Sequence, residues 1–118
     1  MKIAVFASGT GSNFINIVNY INKNKLKARV VLLISNNPNT NAVEFAEKNK
    51  INVQIINKNI FKKETFVNNE YKFSLKKNKI DLILLAGFMK KIPNDLIEIY
   101  KNKILNIHPS LLPKYGGK

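Results

Sequence analysis

Short apolar runs alternate along the chain with segments whose apolar residues recur at helical spacing, and few folds accommodate that alternation. Runs of strand length are predicted over residues 3–7, 28–34, 53–56, 81–86 and 104–108. Parallel strands that are connected by helices form a sheet with helices on both of its faces. Right-handed crossovers then favour an open, mostly parallel, Rossmann-like α/β sheet with the strand order 3-2-1-4-5.

Each predicted helix has one apolar face. The first helix begins at Ser12 or Asn13, the second ends near Lys50, the third covers residues 62–77 and the fourth begins at Pro93. In the first helix Phe14, Ile17, Val18 and Ile21 recur at helical spacing, and in the second Ala42, Phe45 and Ala46 give one face. In the third helix Phe66, Val67, Tyr71 and Leu75 are expected to point inward, and the fourth carries Leu96, Ile97 and Tyr100. With 118 residues, a single domain over residues 1–118 is expected.

Composition excludes several classes of site. The sequence has no cysteine and a single histidine, His108, so disulfides, thiolate zinc sites and multi-histidine metal sites are excluded and no metal is expected. The longest apolar run, residues 82–89, is far shorter than the roughly 20 residues of a membrane span. The N-terminal residues do not have the layout of a signal peptide. We therefore expect a soluble, cytoplasmic protein that does not bind a membrane.

The formal net charge of +13 comes from 19 lysines and one arginine that are scattered over the whole chain. Recognition of bases and bidentate recognition of phosphate favour arginine, so this composition argues against a nucleic-acid partner. The favoured interpretation is a general drift in composition that leaves the lysines solvated. Attraction of anionic substrates is the main alternative, and nucleic-acid binding is the least favoured one.

Three segments of unusual composition follow strands at the point where the strand order reverses. Residues 9–13 form a glycine-containing loop after the first strand, residues 87–89 follow the fourth strand, and Asn106 and His108 end the fifth. Since ligands of such sheets bind beyond the carboxyl ends of the strands, these segments are expected to border one crevice. Asn106 and His108 should point to the same side because side chains alternate along a strand.

Each segment also has a purely structural interpretation. The glycine loop is equally compatible with a phosphate site at a helix N-terminus and with a tight turn, and Phe14 stands where a dinucleotide fingerprint has its third glycine. Asn106 could donate to an oxyanion or fix a loop through a hydrogen bond. A lone histidine such as His108 is more often structural than catalytic. Phe88 could belong to the core or to an apolar wall of the crevice.

Taken together, residues 9–13, 85–89 and 105–115 resemble the phosphoribosylglycinamide formyltransferase family, which acts in folate-dependent purine synthesis. The segment Asn-Ile-His-Pro-Ser-Leu-Leu-Pro, which begins at Asn106, is specific for folate-dependent formyltransferases. The Gly-Ser-Asn loop that begins at Gly11 narrows the resemblance to the branch that acts on glycinamide ribonucleotide. The resemblance runs through the whole chain in the family's order and spacing.

The resemblance implies transfer of a formyl group from 10-formyltetrahydrofolate to the amine of 5'-phosphoribosylglycinamide, in the pathway to IMP. The implied phosphate-binding residues are Gly11, Ser12 and Asn13. The implied folate-binding residues are Met89, Lys90, Lys91, Ile92 and Asn106. Asn106 would also stabilise the tetrahedral oxyanion, and His108 would be the proton donor. The implied partners are these small molecules, and no oligomeric state is predicted.

Two departures from the family pattern affect the expected activity. The family has a folate-contacting arginine in the segment that corresponds to residues 61–66, where this chain has none, and Lys63 is the candidate substitute as a point charge. The family's chain also continues beyond the position of Lys118 and includes an aspartate that pairs with the histidine. We therefore expect an N-terminal domain, truncated at its C-terminus, with weak or no activity alone.

Two other functions are compatible with the same residues. One is a different folate-dependent formyltransferase or a formyltetrahydrofolate hydrolase. The other is a non-catalytic remnant that binds phosphate or a nucleotide without turning it over.

Overall fold

A parallel sheet forms the centre of the computed structural model, which describes residues 1–8, 12–88 and 90–107. The strands are β1 (Lys2–Ala7), β2 (Arg29–Ser35), β3 (Asn52–Ile55), β4 (Leu82–Ala86) and β5 (Ile104–Ile107). The helices are α1 (Ser12–Lys23), α2 (Asn41–Lys48), α3 (Lys58–Phe61), α4 (Glu64–Lys77) and α5 (Asn94–Ile99). The strand order is β3-β2-β1-β4-β5, which confirms the predicted fold class and topology.

Helices cover both faces of the sheet because the central strands are apolar on both sides. In β1, the side chains of Val5 and Ala7 pack in a core with residues of α1 and α2. The side chains of Ala4 and Phe6, which alternate with them, pack in a second core with residues of α4 and α5. A strand that is buried on both faces is typical of a parallel sheet with helices on each side.

Parallel pairing places the carboxyl ends of the strands side by side. Ala7 pairs with Ser35 of β2 and with Ala86 of β4, and Ala86 pairs with Ile107 of β5. The loops after β1 and β4 therefore leave the sheet from one row of residues. We call this side of the sheet the carboxyl edge, and the side where the strands begin the amino edge.

Helices α1, α2 and α4 end in the same way, with an asparagine followed by a lysine. The φ angles of these lysines are positive, at 51° for Lys25, 59° for Lys50 and 53° for Lys79. In each case the asparagine side chain donates to the carbonyl four residues earlier, at 2.8 Å. The residue after the lysine donates its N–H to a carbonyl of the last helical turn, in the pattern of a Schellman motif: Leu26 to Ile21, Ile51 to Ala46, and Ile80 to Leu75.

The predicted inward position of Phe66 is wrong, because its side chain is 51% exposed. In α5, Leu96 is buried while Ile97 is 44% exposed. Val67, Tyr71 and Leu75 are buried and form the inward stripe of α4. Phe66 is next to Val67, so about 100° of helical rotation turns it away from that stripe. Among the helices of the described residues, none is long and apolar enough to cross a bilayer.

Candidate functional site

The start of α1 lies against the loop that follows β4. Gly87 has a φ of +68°, and a Cβ atom placed on it would lie 3.5 Å from Nδ2 of Asn13. Ser12 is the first residue of α1 and is exposed, and the first turn of the helix has no acidic residue. The structure thus brings Asn13 and Gly87 together at the reversal between β1 and β4, while Gly11 lies outside the described residues.

Phe88 fixes this loop to the core. Its ring centroid lies 5.2 Å from that of Phe6, with the two rings perpendicular, and 6.3 Å from that of Tyr71. The ring centroids of Phe6 and Tyr71 are 5.4 Å apart. Burial raises the pKa of the Tyr71 hydroxyl above its ordinary value. Phe88 is therefore part of the core packing, and it holds the backbone of the loop beside Asn13.

A cavity of about 250 Å³ opens at the carboxyl edge between the loops after β2, β3 and β4 and the first half of α4. Its apolar lining includes Ile56 and Val67. Three lysines line it, Lys58, Lys90 and Lys91. Glu64 is the acidic residue that lines it in the described part of the chain. The carboxyl-edge cavity thus combines an apolar floor with a positively charged border, which suits a partly aromatic anion.

The cavity includes residues that sequence reasoning missed. Asn57 is the N-cap of α3, where its Oδ1 accepts the N–H of Ile60 at 2.9 Å. Its Nδ2 donates to the carbonyl of Asn36 at 3.0 Å, so it joins the loops after β2 and β3. The available signal was position, because Asn57 directly follows one predicted strand and Asn36 lies two residues beyond another, at the edge where ligands bind.

The residues with an implied folate role lie in different places. Lys90 and Lys91 line the carboxyl-edge cavity. Ile92 is 8% exposed and belongs to the core between the sheet, α4 and α5. The ammonium of Lys63 lies 5.7 Å from the centre of the Phe66 ring, and Lys63 is not a lining residue of the cavity. Met89 lies outside the described residues.

Asn106 is exposed on β5, where it pairs with Leu85 of β4. Within the described ranges, its side chain has no hydrogen-bond partner, so the loop-fixing interpretation finds no support there. Because this amide is exposed, it remains hydrated. The free-energy cost of burying it, which the apolar residues around it suggested, therefore does not arise. His108 follows Ile107 in the sequence and lies outside the described residues. No group of three or more potential metal ligands occurs in the part that is described.

Comparison with known proteins identifies the family. The model of a family described as "Formyl transferase" matches residues 1–118. The chain belongs to the formyl transferase family. This match covers the segments at the carboxyl edge as well as the sheet.

Similar proteins include two phosphoribosylglycinamide formyltransferases. The chloroplastic protein of Arabidopsis thaliana is 40% identical over 99% of this chain, and the Bacillus subtilis protein is 36% identical over 98% of it. Among solved structures, glycinamide ribonucleotide transformylase 1 from Geobacillus kaustophilus has a TM-score of 0.83 and is 38% identical over 99% of this chain. The chain spans 40% of the plant relative, 60% of the Bacillus relative and 62% of the Geobacillus chain.

Proposed function

We propose that this chain takes part in transfer of a formyl group from 10-formyltetrahydrofolate to the amine of 5'-phosphoribosylglycinamide. In this reaction the amine nitrogen attacks the formyl carbon, and a tetrahedral oxyanion forms. The bond from that carbon to N10 of the folate then breaks. The amine loses one proton and N10 gains one, so the site needs a group that moves a proton.

The start of α1 is the proposed phosphate site. Backbone N–H groups in the first turn of a helix have no partner within the helix, and the helix dipole favours an anion there. No acidic residue in that turn opposes an anion. Ser12 is exposed and Asn13 adjoins Gly87, so both are available to a ligand in the crevice. Gly11 is assigned to the same site from the family resemblance.

The carboxyl-edge cavity supports the proposed folate site. A folate has an aromatic part and an acidic tail, and the cavity offers Ile56 and Val67 beside the ammonium groups of Lys90 and Lys91. Met89 and Ile92 are assigned to this site from the resemblance, with Ile92 acting from the core. The lysines bind a carboxylate as point charges, without the forked geometry of an arginine.

Asn106 and His108 are the proposed reacting residues. The amide of Asn106 is a donor that could stabilise the oxyanion, and an imidazole that titrates near neutral pH can donate the proton to the leaving folate. The paired row Phe6, Leu85 and Asn106 crosses from β1 to β5. With neighbouring strands about 4.8 Å apart, Asn106 lies roughly 10 Å across the sheet from β1. That spacing leaves room for a substrate between the proposed phosphate site and the reacting groups.

The proximity of Asn13 and Gly87 is the observation that carries the proposal, and calorimetric titration with 5'-phosphoribosylglycinamide tests it. Replacement Asn13→Ala is expected to weaken binding about tenfold, because it removes a hydrogen bond to a charged group. The control is Asn69→Ala, at an exposed position of α4 that does not line the carboxyl-edge cavity. Equal affinities of the two variants would show that the phosphate does not bind at the start of α1.

Turnover separates the enzyme from a binding remnant. Because this chain alone is expected to have weak or no activity, formyl transfer is followed through the absorbance change of the folate in a longer form, in which the chain is fused to the C-terminal part of the Bacillus subtilis relative, and this form is compared with its His108→Ala variant. The variant is expected to lose at least about 100-fold in turnover and to keep its affinity for 5'-phosphoribosylglycinamide. Binding of both ligands by the longer form without transfer would favour the non-catalytic alternative. Failure to bind either ligand would refute the proposed function.

A further inference from the structure

Two cavities at the amino edge are neighbours that share lining residues. The larger, about 440 Å³, lies between the ends of α1 and α2 and the start of β2. The smaller, about 290 Å³, lies between the first residues of β1, β2 and β3 and the end of α4. Arg29, Val31 and Asn52 line both. We call the two cavities together the amino-edge groove, and its cationic residues are Lys2, Arg29, Lys50, Lys77 and Lys79.

The groove has a large excess of positive charge. Among the described residues, no aspartate or glutamate lines either cavity. The carboxylate of Asp81 lies at the same edge, where its Oδ2 accepts the backbone N–H of Lys2 at 2.8 Å, and Glu47 lies in the last turn of α2. Neither lines the groove, so its five cationic side chains favour multiply charged anions.

Arg29 distinguishes this groove from the general excess of lysine. The sequence uses lysine 19 times and arginine once, and that arginine lies where the two cavities meet. The backbone N–H of Arg29 donates to the carbonyl of Met1 at 3.0 Å, which fixes the start of its side chain on the sheet. A guanidinium binds phosphate oxygens in pairs, a geometry that an ammonium cannot provide.

The two cavities differ in character along the groove. Val18, Ile21 and Ile51 give the larger cavity an apolar wall, and the side-chain amides of Asn22 and Asn49 border it. The smaller cavity carries most of the positive charge. We propose that the amino-edge groove binds a chain of phosphates, as found in a nucleoside triphosphate or in free polyphosphate. This proposal is independent of the proposed function, whose residues lie at the opposite edge of the sheet.

Calorimetric titration with inorganic tripolyphosphate at about 150 mM salt tests the proposal, since that ionic strength screens diffuse attraction. The double variant Lys77→Gln, Lys79→Gln is expected to bind about tenfold more weakly. The matched control is Lys62→Gln, Lys63→Gln, which removes the same charge from residues that do not line the groove. We expect it to change affinity less than about twofold. Equal losses in both variants, or no binding by the wild type, would overturn the proposal.

Two further comparisons locate the ligand. The variant Arg29→Lys keeps the charge but loses the fork, and we expect it to bind tripolyphosphate several-fold more weakly; wild-type affinity would contradict the assigned role of Arg29. The variant Asn13→Ala should lose less affinity for tripolyphosphate than the double variant Lys77→Gln, Lys79→Gln, and the opposite order would place the tighter site at the carboxyl edge and overturn the proposal. Adenosine triphosphate is titrated in parallel. Tighter binding than that of tripolyphosphate would identify a nucleotide as the ligand, and equal or weaker binding would identify the phosphate chain alone.

Discussion

Glycine at the three left-handed lysine positions should stabilise the fold. The perturbation is the triple variant Lys25→Gly, Lys50→Gly, Lys79→Gly, compared with the triple alanine variant at the same positions. All three residues have φ angles between 51° and 59°. In that region the Cβ atom of an L-residue crowds its own backbone, and glycine avoids the contact.

The expected size follows from two opposing terms. Relief of the left-handed strain is worth roughly 1–2 kcal/mol at each position. The greater freedom of glycine in the unfolded chain removes about 0.4–1 kcal/mol of that gain. The positions belong to three different helix ends, so their effects should add, and the middle of each range gives a free energy of unfolding about 2.4 kcal/mol higher for the glycine variant than for the alanine variant.

Urea unfolding followed by circular dichroism measures the difference. The midpoint of the glycine variant should rise while the slope of the transition stays the same, because the surface exposed on unfolding does not change. At about 4 °C per kcal/mol for a domain of this size, the melting temperature should rise by roughly 6–12 °C. Alanine retains the Cβ atom but removes the charge, so it controls for electrostatic effects at the helix ends. Equal midpoints for the two triple variants would refute the argument from strain.

Three further substitutions test other parts of the structure. Phe88→Leu should lower the free energy of unfolding by about 1–2 kcal/mol in urea titrations, because it removes two aromatic contacts, and an unchanged value would exclude the anchoring role of the ring. Asn106→Ala should lower the turnover of formyl transfer about 100-fold with little change in substrate affinity, and a change in affinity alone would assign Asn106 to binding. A 2.6 Å hydrogen bond from Lys72 and its positive charge lower the pKa of the Asp95 carboxyl, so Lys72→Met should raise that pKa in an NMR titration. Since the folded-state pKa is the lower one, the stabilisation by this pair should be present at neutral pH and disappear as the pH falls through it, and a pKa unaffected by the substitution would refute the pairing.

The sheet could be predicted from the sequence because its signals are long and consistent. Five apolar runs at regular spacing, together with the handedness of crossovers, left few possible strand orders. Boundaries were less predictable, and β2 runs over Arg29–Ser35 in place of residues 28–34. Ser35 is only 3% exposed, and its burial is tolerated because its hydroxyl donates to the carbonyl of Asn37. The periodicity of apolar residues does not predict such a bond.

The candidate site could be predicted by position but not in its details. The approach of Asn13 to Gly87 follows from the reversal of strand order, which the sequence predicted. The lining of the carboxyl-edge cavity could not be predicted from the sequence. One of its residues, Lys58, belongs to the four-residue helix α3, which is too short to show periodicity. The Lys63 side chain lies over Phe66, an arrangement that became visible only once Phe66 was found on the surface.

Helix α1 starts beside Gly87 and ends before Lys25, so one rod of backbone connects two regions with different tolerance for substitution. At its start, the positive φ of Gly87 suits glycine, and a side chain there would strain the backbone beside Asn13. At its far end, a strained lysine persists where glycine would relieve the strain. Stability can therefore be engineered at the far end of α1, where Lys25→Gly alters no residue proposed for formyl transfer.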